Sequence, residues 1–208
     1  MAAKLVIANK AYSSWSLRGW LVTKASGLPF EEVLIPLYRD GSSAELLKYS
    51  PTGKVPCLID GKITVWDSLA ILEYLHEQRP AAGLYPTDPA ERALRRSLCA
   101  EIHSGFQNLR NICGMNLRRT ATPPKTGGDL KPEIARLEAI VGPLPIPETM
   151  DGLAAFLTPI ATRFRSYGLP MSPRLGEHFG ALLGHPLFLE WEKAALAETW
   201  VIPEYENL

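Results

Sequence analysis

Two kinds of hydrophobic spacing divide this chain. Up to residue 79, short apolar runs alternate with polar ones. Residues 5–8 (Leu5, Val6, Ile7, Ala8) read as a buried strand, residues 15–26 as a helix closed by Gly27, and residues 32–37, β-branched and aliphatic in character, as a second strand. This is a βαβ start. After a polar segment with a short helix at 44–49, the apolar stretches 55–59 and 63–66 flank the turn dipeptide Asp60-Gly61 and predict a hairpin. A helix over 68–77 closes the unit, with Leu69, Ile71, Leu72 and Leu75 on one apolar face.

Between residues 79 and 89 the composition shifts to Pro, Ala, Gly and Thr, as in a linker. Asp88-Pro89-Ala90-Glu91 then supplies a cap, a proline at the first helical position and an acid in the first turn. One long helix is expected to follow, because Leu94, Leu98, Ile102, Phe106, Leu109 and Cys113 recur at spacings of three and four. Further helices are expected over 129–141, 151–167, 174–183 and 186–196. The expected fold class is α/β plus all-α: a βαβ-ββα domain over 1–79, a linker over 80–88 and an all-helical domain over 89–208.

Composition narrows the function classes. The 22 basic and 22 acidic residues cancel, so no broad field is available to hold nucleic acid or an anionic membrane, and neither is an expected partner. Cys57, Cys99 and Cys113 are widely spaced and odd in number, and the four histidines lack ligand spacing; a reducing, cytoplasmic setting without disulfides or a metal is expected. The apolar stretch in MAAKLVIANK is too short for a secretory leader, and nowhere do about 20 apolar residues run together.

Three segments carry candidate chemistry. Ser13, Ser14 and Ser16 fall where the first strand hands over to a helix, beside free N–H groups and the positive end of the helix dipole. They can cap the helix or donate hydrogen bonds to an anion; no neighbouring base makes them nucleophiles. In Ser50-Pro51-Thr52-Gly53-Lys54-Val55-Pro56 the proline opens a strand, at a linkage where a cis bond is cheap, which frees the Val55 backbone to pair with an extended peptide or serves simply as a strand edge. Gly53-Lys54 lacks the flanking residues of a phosphate loop. Asp67-Ser68 either caps the next helix or holds the ammonium and carboxylate of an amino-acid group.

In order and spacing, SSWSLR, GKVPCL and WDSLAI, followed by a helical domain, resemble a cytosolic glutathione S-transferase over nearly the whole chain. The SSxSxR pattern is similar to the zeta class, or maleylacetoacetate isomerases, and Glu101-Ile102-His103-Ser104-Gly105-Phe106 to a stretch of bacterial beta-class enzymes. The resemblance implies a thioredoxin-like first domain that binds glutathione as cosubstrate, with no metal, and a homodimer acting on a small hydrophobic electrophile. Ser13 is then the expected donor to the glutathione sulfur, with Ser14 the second choice, Ser16 in support and Arg18 structural. Val55 and Pro56 would meet the cysteinyl part, Asp67 and Ser68 the γ-glutamyl end, Arg39 the glycine carboxylate, and His103 the vicinity of the sulfur, with Gln107 and Arg110 on the same helix shoulder. A glutathione-dependent cis-trans isomerase and a non-catalytic glutathione-binding module are the alternative readings.

Two departures from the family pattern stand out. Trp15 occupies the cysteine position of the zeta pattern, which sets a large ring beside the expected thiol site. Residues 141–147 (VGPLPIP) interrupt the place where relatives continue a helix; Asp151 still aligns with the cap that follows, but Ala154 replaces the reciprocal acid, and Pro159 is expected to kink the next helix.

Overall fold

The computed structural model, which describes residues 2–125 and 128–206, is organised around β1 (Ala3–Ile7). This strand pairs in parallel with β2 (Phe30–Leu34) and antiparallel with β3 (Cys57–Asp60), and β4 (Ile63–Val65) pairs antiparallel with β3, giving the order β2-β1-β3-β4. Both faces of β1 are covered, as its unbroken apolar run requires. Leu5 and Ile7 face the main core against α1 (Ser14–Ala25) and α3 (Ser68–Gln78), whereas Val6 faces a small second cluster with Ile35, Leu46 and Cys57 beneath α2 (Ser42–Leu47).

Strand boundaries moved where proline removes a ladder donor. β2 is displaced toward the N-terminus of the expected 32–37, in register with β1 from Ala3↔Phe30 to Ile7↔Leu34; beyond it come Pro36 and then Leu37, whose N–H donates to Asn9 Oδ1 at 2.8 Å. β3 starts after Pro56 rather than at Val55. The thioredoxin-like arrangement of this sheet and its helices is the predicted one.

After a 3-10 turn (Pro80–Ala82) the rest of the chain is helical among the described residues: α4 (Pro89–Ser104), α5 (Gln107–Ile112), α6 (Lys131–Val141), α7 (Gly152–Tyr167), α8 (Pro173–Gly184), α9 (Pro186–Ala197) and α10 (Pro203–Glu206). Asp88 and Asp151 cap α4 and α7 as expected, Asp151 accepting from the Ala154 N–H at 2.8 Å. Helix α7 continues through Pro159 and is buried on nearly every side, the central post of the helical half.

The expected single helix from 89 to 113 is instead two. Gly105 is extended and Phe106 left-handed (φ 59°), so the chain turns between α4 and α5 while the stripe from Leu98 through Ile102, Phe106 and Leu109 to Cys113 stays buried. Apolar spacing alone does not reveal the break, because both pieces present the same face. Arg110 holds the broken end, donating from Nε to the Gly105 carbonyl at 3.0 Å and from Nη2 to that of Ile102. These carbonyls would otherwise lack partners.

The main core runs without interruption from the sheet into the helices. At the junction the Gly152 N–H donates to the Leu84 carbonyl at 2.8 Å, and a Cβ at Gly152 would lie 2.9 Å from that oxygen and from the Leu72 side chain. Among the described residues no helix is long and apolar enough to cross a membrane.

One core group makes stability depend on pH. His178 on α8 is 3% exposed, its Nδ1 has no partner among the described residues, and burial, with Arg174 and Arg95 nearby, pushes its pKa down from 6.5 to about 4. The unfolded chain therefore binds a proton that the folded chain refuses between these values, and stability is lost as pH falls through this window. Urea unfolding is expected to show wild type losing about 2 kcal/mol more than His178→Leu between roughly pH 7.5 and pH 5; parallel losses would refute this assignment.

Candidate active site

The segment between β1 and α1 is built from both ends of the chain. Within it, the Tyr12 and Ser13 N–H groups donate to the Asn9 carbonyl, and the Ser16 hydroxyl accepts from the Ala8 N–H at 2.9 Å. From the far end of the sequence, the Glu198 carboxylate accepts from the Lys10 and Ala11 N–H groups at 2.7 and 3.1 Å, and Trp191 Nε1 donates to the Lys10 carbonyl at 3.0 Å. The loop cannot shift without breaking these bonds.

Held this way, Ser13 and Ser14 line a cavity of about 740 Å³ between the sheet domain and the helices. Their hydrogen bonds differ. Ser13 caps α1: its Oγ accepts from the Ser16 N–H at 3.2 Å and donates to Ser16 Oγ at 2.9 Å. Ser14 Oγ accepts from Arg163 Nη2 at 3.1 Å, which leaves its own proton available to a third group.

Of the other expected residues, Val55, Pro56, Asp67, His103, Gln107 and Arg110 also line this cavity. The Val55–Pro56 bond is cis, and Val55 lies outside the β3 ladder. Pro56 packs so closely on α1 that a Cβ at Gly19 would sit 2.7 Å from its ring. Asp67 caps α3 through Oδ1, which accepts from the Leu69 and Ala70 N–H groups, and its Oδ2 lies 3.2 Å from His103 Nε2. Burial lowers the His103 pKa against the opposing pull of Asp67, while Arg18 and Arg110 add to the lowering.

Arg39 and Ser68 are not in the cavity wall. Arg39 reaches along the surface to Glu45 at 3.0 Å, a pairing set up by the turn into α2. Ser68, the first residue of α3, is fully buried behind Asp67, with its hydroxyl unpartnered. Lys54, next to Val55, is the cation that does border this end of the cavity.

Trp15 and Arg18 explain one another. Arg18 is 1% exposed and among the described residues none of its nitrogens has a hydrogen-bond partner, yet its guanidinium lies 4.0 Å from the Trp15 ring centroid and 4.9 Å from that of Phe156. The two aromatic rings supply the compensation that hydrogen bonds do not. The same Trp15 ring meets the edge of His103 and stands 5.2 Å from the Arg110 guanidinium, so it ties α1 to α4 and α5. The helical half adds Arg163 from α7, and the tail adds Ile202 and Tyr205. Sequence reading missed Arg163 because α7 carries charge at Arg163 and Arg165 alike, and only packing shows which one turns inward.

Residues 12–78 match the model of the glutathione S-transferase N-terminal domain family. Over this segment the chain is similar to the N-terminal domain of glutathione S-transferases. It is 43% identical over 115 residues to a maleylacetoacetate isomerase of Rattus norvegicus, an alignment covering 53% of each chain, and 33% identical over 114 residues to a zeta-class glutathione S-transferase of Euphorbia esula, covering 54% of this chain and 51% of that one. The chain thus spans about half the length of the curated relatives it matches. Its fold is similar to that of a Burkholderia glutathione transferase homologue solved with bound glutathione: TM-score 0.71, 23% identity, covering 95% of this chain and 100% of the other. A theta-class enzyme of Xanthomonas axonopodis, also with glutathione bound, gives a TM-score of 0.69 at 21% identity, covering 91% and 96%. The matched segment holds Ser13, Ser14, Val55 and Asp67 of the cavity wall, while Arg110 and Arg163 lie beyond it.

The anchoring of the serine loop is open to measurement. Glu198→Ala leaves two amides without their acceptor and is expected to lower unfolding stability by about 2–4 kcal/mol. Glu198→Gln, which keeps one acceptor oxygen, should lose less, and equal losses in denaturant titrations would show that the loop does not depend on this contact.

Proposed function

We propose that this protein binds glutathione in the cavity between the sheet domain and the helices and activates its thiol for attack on a small hydrophobic electrophile. The observation that carries the reading is Ser14 at the start of α1, with its Oγ already accepting from Arg163 and its proton uncommitted. A thiol with an ordinary pKa near 8.5 is only a few per cent ionised at neutral pH. A hydroxyl donor at a helix N-terminus favours the anion, and each tenfold gain in thiolate takes about 1.4 kcal/mol. Ser13, engaged with Ser16, orders the helix start, so in this reading Ser14 is the donor and Ser13 the cap.

The rest of the tripeptide follows the cavity wall. Val55 offers backbone groups outside the ladder to the cysteinyl unit, Asp67 offers a carboxylate to the γ-glutamyl ammonium, and Lys54 takes the role expected of Arg39 at the glycine carboxylate. His103, held by Asp67 and Trp15, borders the sulfur end. The electrophile enters between Trp15, Tyr12, Tyr205 and Ile202, which give that side its apolar surface. Residues 1–79 are the glutathione-binding unit in this scheme and residues 89–208 the helical unit that covers it. Pairing of two copies is supported by exposed Leu47, Ile63 and Leu94.

A second reading, a glutathione-dependent cis-trans isomerase, is supported by the 43% identity to the rat maleylacetoacetate isomerase. It uses the same thiolate and returns glutathione unchanged, so turnover assays that follow glutathione consumption separate the two. A non-catalytic binding module would bind glutathione with its thiol protonated.

Ultraviolet difference spectra of bound glutathione test the thiolate. Ser14→Ala is expected to raise the bound thiol pKa by about one unit, a tenfold loss of thiolate at a pH well below the wild-type value, while Ser13→Ala acts mainly on stability. The assignment fails if Ser14→Ala keeps the wild-type titration.

A further inference from the structure

Among the described residues Arg163 has no counter-ion. It is 4% exposed, it donates from Nη1 to the Pro159 carbonyl of its own helix at 2.7 Å and from Nη2 to Ser14 Oγ at 3.1 Å, and its Nε has no partner. Among the described residues no carboxylate pairs with it. The titratable groups around it are Arg18 on α1, Arg110 on α5, Cys113 just after that helix, Tyr167 on α7 and Tyr205 on α10. Arg18 and Arg110 are further guanidinium groups that repel it, and burial raises the Cys113 thiol to about 11 and both tyrosines above 10, so the other three are neutral near pH 7.

An unpaired buried cation is costly, and chains retain one where an anion repays the cost. Structural arginines in this fold are compensated in other ways: Arg18 lies between Trp15 and Phe156, and Arg118 binds the carbonyls of Trp200, Ala195 and Glu198. Arg163 differs because it opens onto the cavity and touches the hydroxyl at the start of α1. Burial and the neighbouring Arg110 pull its own pKa down to about 10, so it still carries its charge at neutral pH.

We infer that Arg163 is the counter-charge of the glutathione thiolate: it polarises the Ser14 hydroxyl by donating to its oxygen, and its guanidinium balances the negative sulfur that this hydroxyl then binds. No proton leaves Arg163; the thiol proton passes to solvent. This rests on glutathione binding at Ser14. The helical half thereby takes part in activating the thiol as well as in shaping the second substrate's pocket.

The test compares glutathione with S-methylglutathione, which has the same tripeptide and no ionisable thiol. In Arg163→Gln the bound thiol pKa is expected to rise by about one unit and glutathione affinity near pH 8 to fall about tenfold, with affinity for S-methylglutathione changed less than about twofold. Arg163→Lys, which keeps the charge, should retain most of the thiolate absorbance. Equal weakening of both ligands, or a wild-type thiol titration in Arg163→Gln, overturns the inference while leaving glutathione binding intact. A wild type that binds neither ligand overturns the binding reading and this inference together. If Arg163→Gln does not fold, the wild-type Arg163 Nε–H resonance, identified by its absence in Arg163→Lys, decides: a shift with glutathione that S-methylglutathione does not reproduce supports the counter-charge, and identical shifts refute it.

Discussion

The geometry of the cavity depends on how the backbone between β1 and α1 satisfies its hydrogen bonds. That stretch leaves the sheet and has not yet entered the helix, so its buried amides and carbonyls must find partners elsewhere. They find them in Glu198 and Trp191, at the opposite end of the chain, and in Leu117, whose N–H donates to the Ala11 carbonyl at 3.0 Å. The serine loop therefore has its position only when the helical half is docked. Arg118 secures that docking by gathering the carbonyls of the segment that carries Glu198 and by touching Tyr12 Oη at 3.2 Å.

A second coupling runs through Trp15. Its ring covers the Arg18 guanidinium, meets His103 and approaches Arg110, so one side chain joins the start of α1 to both sides of the break between α4 and α5. The break gives Arg110 its place, because the carbonyls freed there are the ones it binds. A continuous helix would satisfy those carbonyls internally and leave Arg110 without that anchor. Trp15 is thus part of a packing arrangement that joins α1 to α4 and α5.

Charge in the cavity is uneven. The helical half contributes Arg110 and Arg163, and Asp67 is already engaged with His103 and the α3 amides. Neutral overall composition conceals this concentration, because the acidic residues are spent on surface pairs such as Glu101 with Arg136 and Glu192 with Arg165. A balanced total thus coexists with a positive interior lining, the setting in which a small anion is bound by position more than by long-range attraction.

Local patterns were legible wherever the physics is local. The β-branched run of β1, the turn at Asp60-Gly61, the caps at Asp67, Asp88 and Asp151 and the cis bond before Pro56 each depend on a few adjacent residues, and residues of SSWSLR and GKVPCL line one cavity. Sequence alone could not say which of two adjacent serines keeps a free proton, since that follows from Ser16 one turn along and Arg163 on a helix 149 residues away. Nor could it show that Arg39 would turn to Glu45, that Ser68 would be buried, or that Phe106 would break a helix without breaking its apolar stripe. The order of elements and the motif residues were set by the chain's own neighbours; hydrogen-bond partners and charge balance at the cavity were set by contacts distant in sequence, because a buried polar group takes whatever partner the packed fold brings within reach.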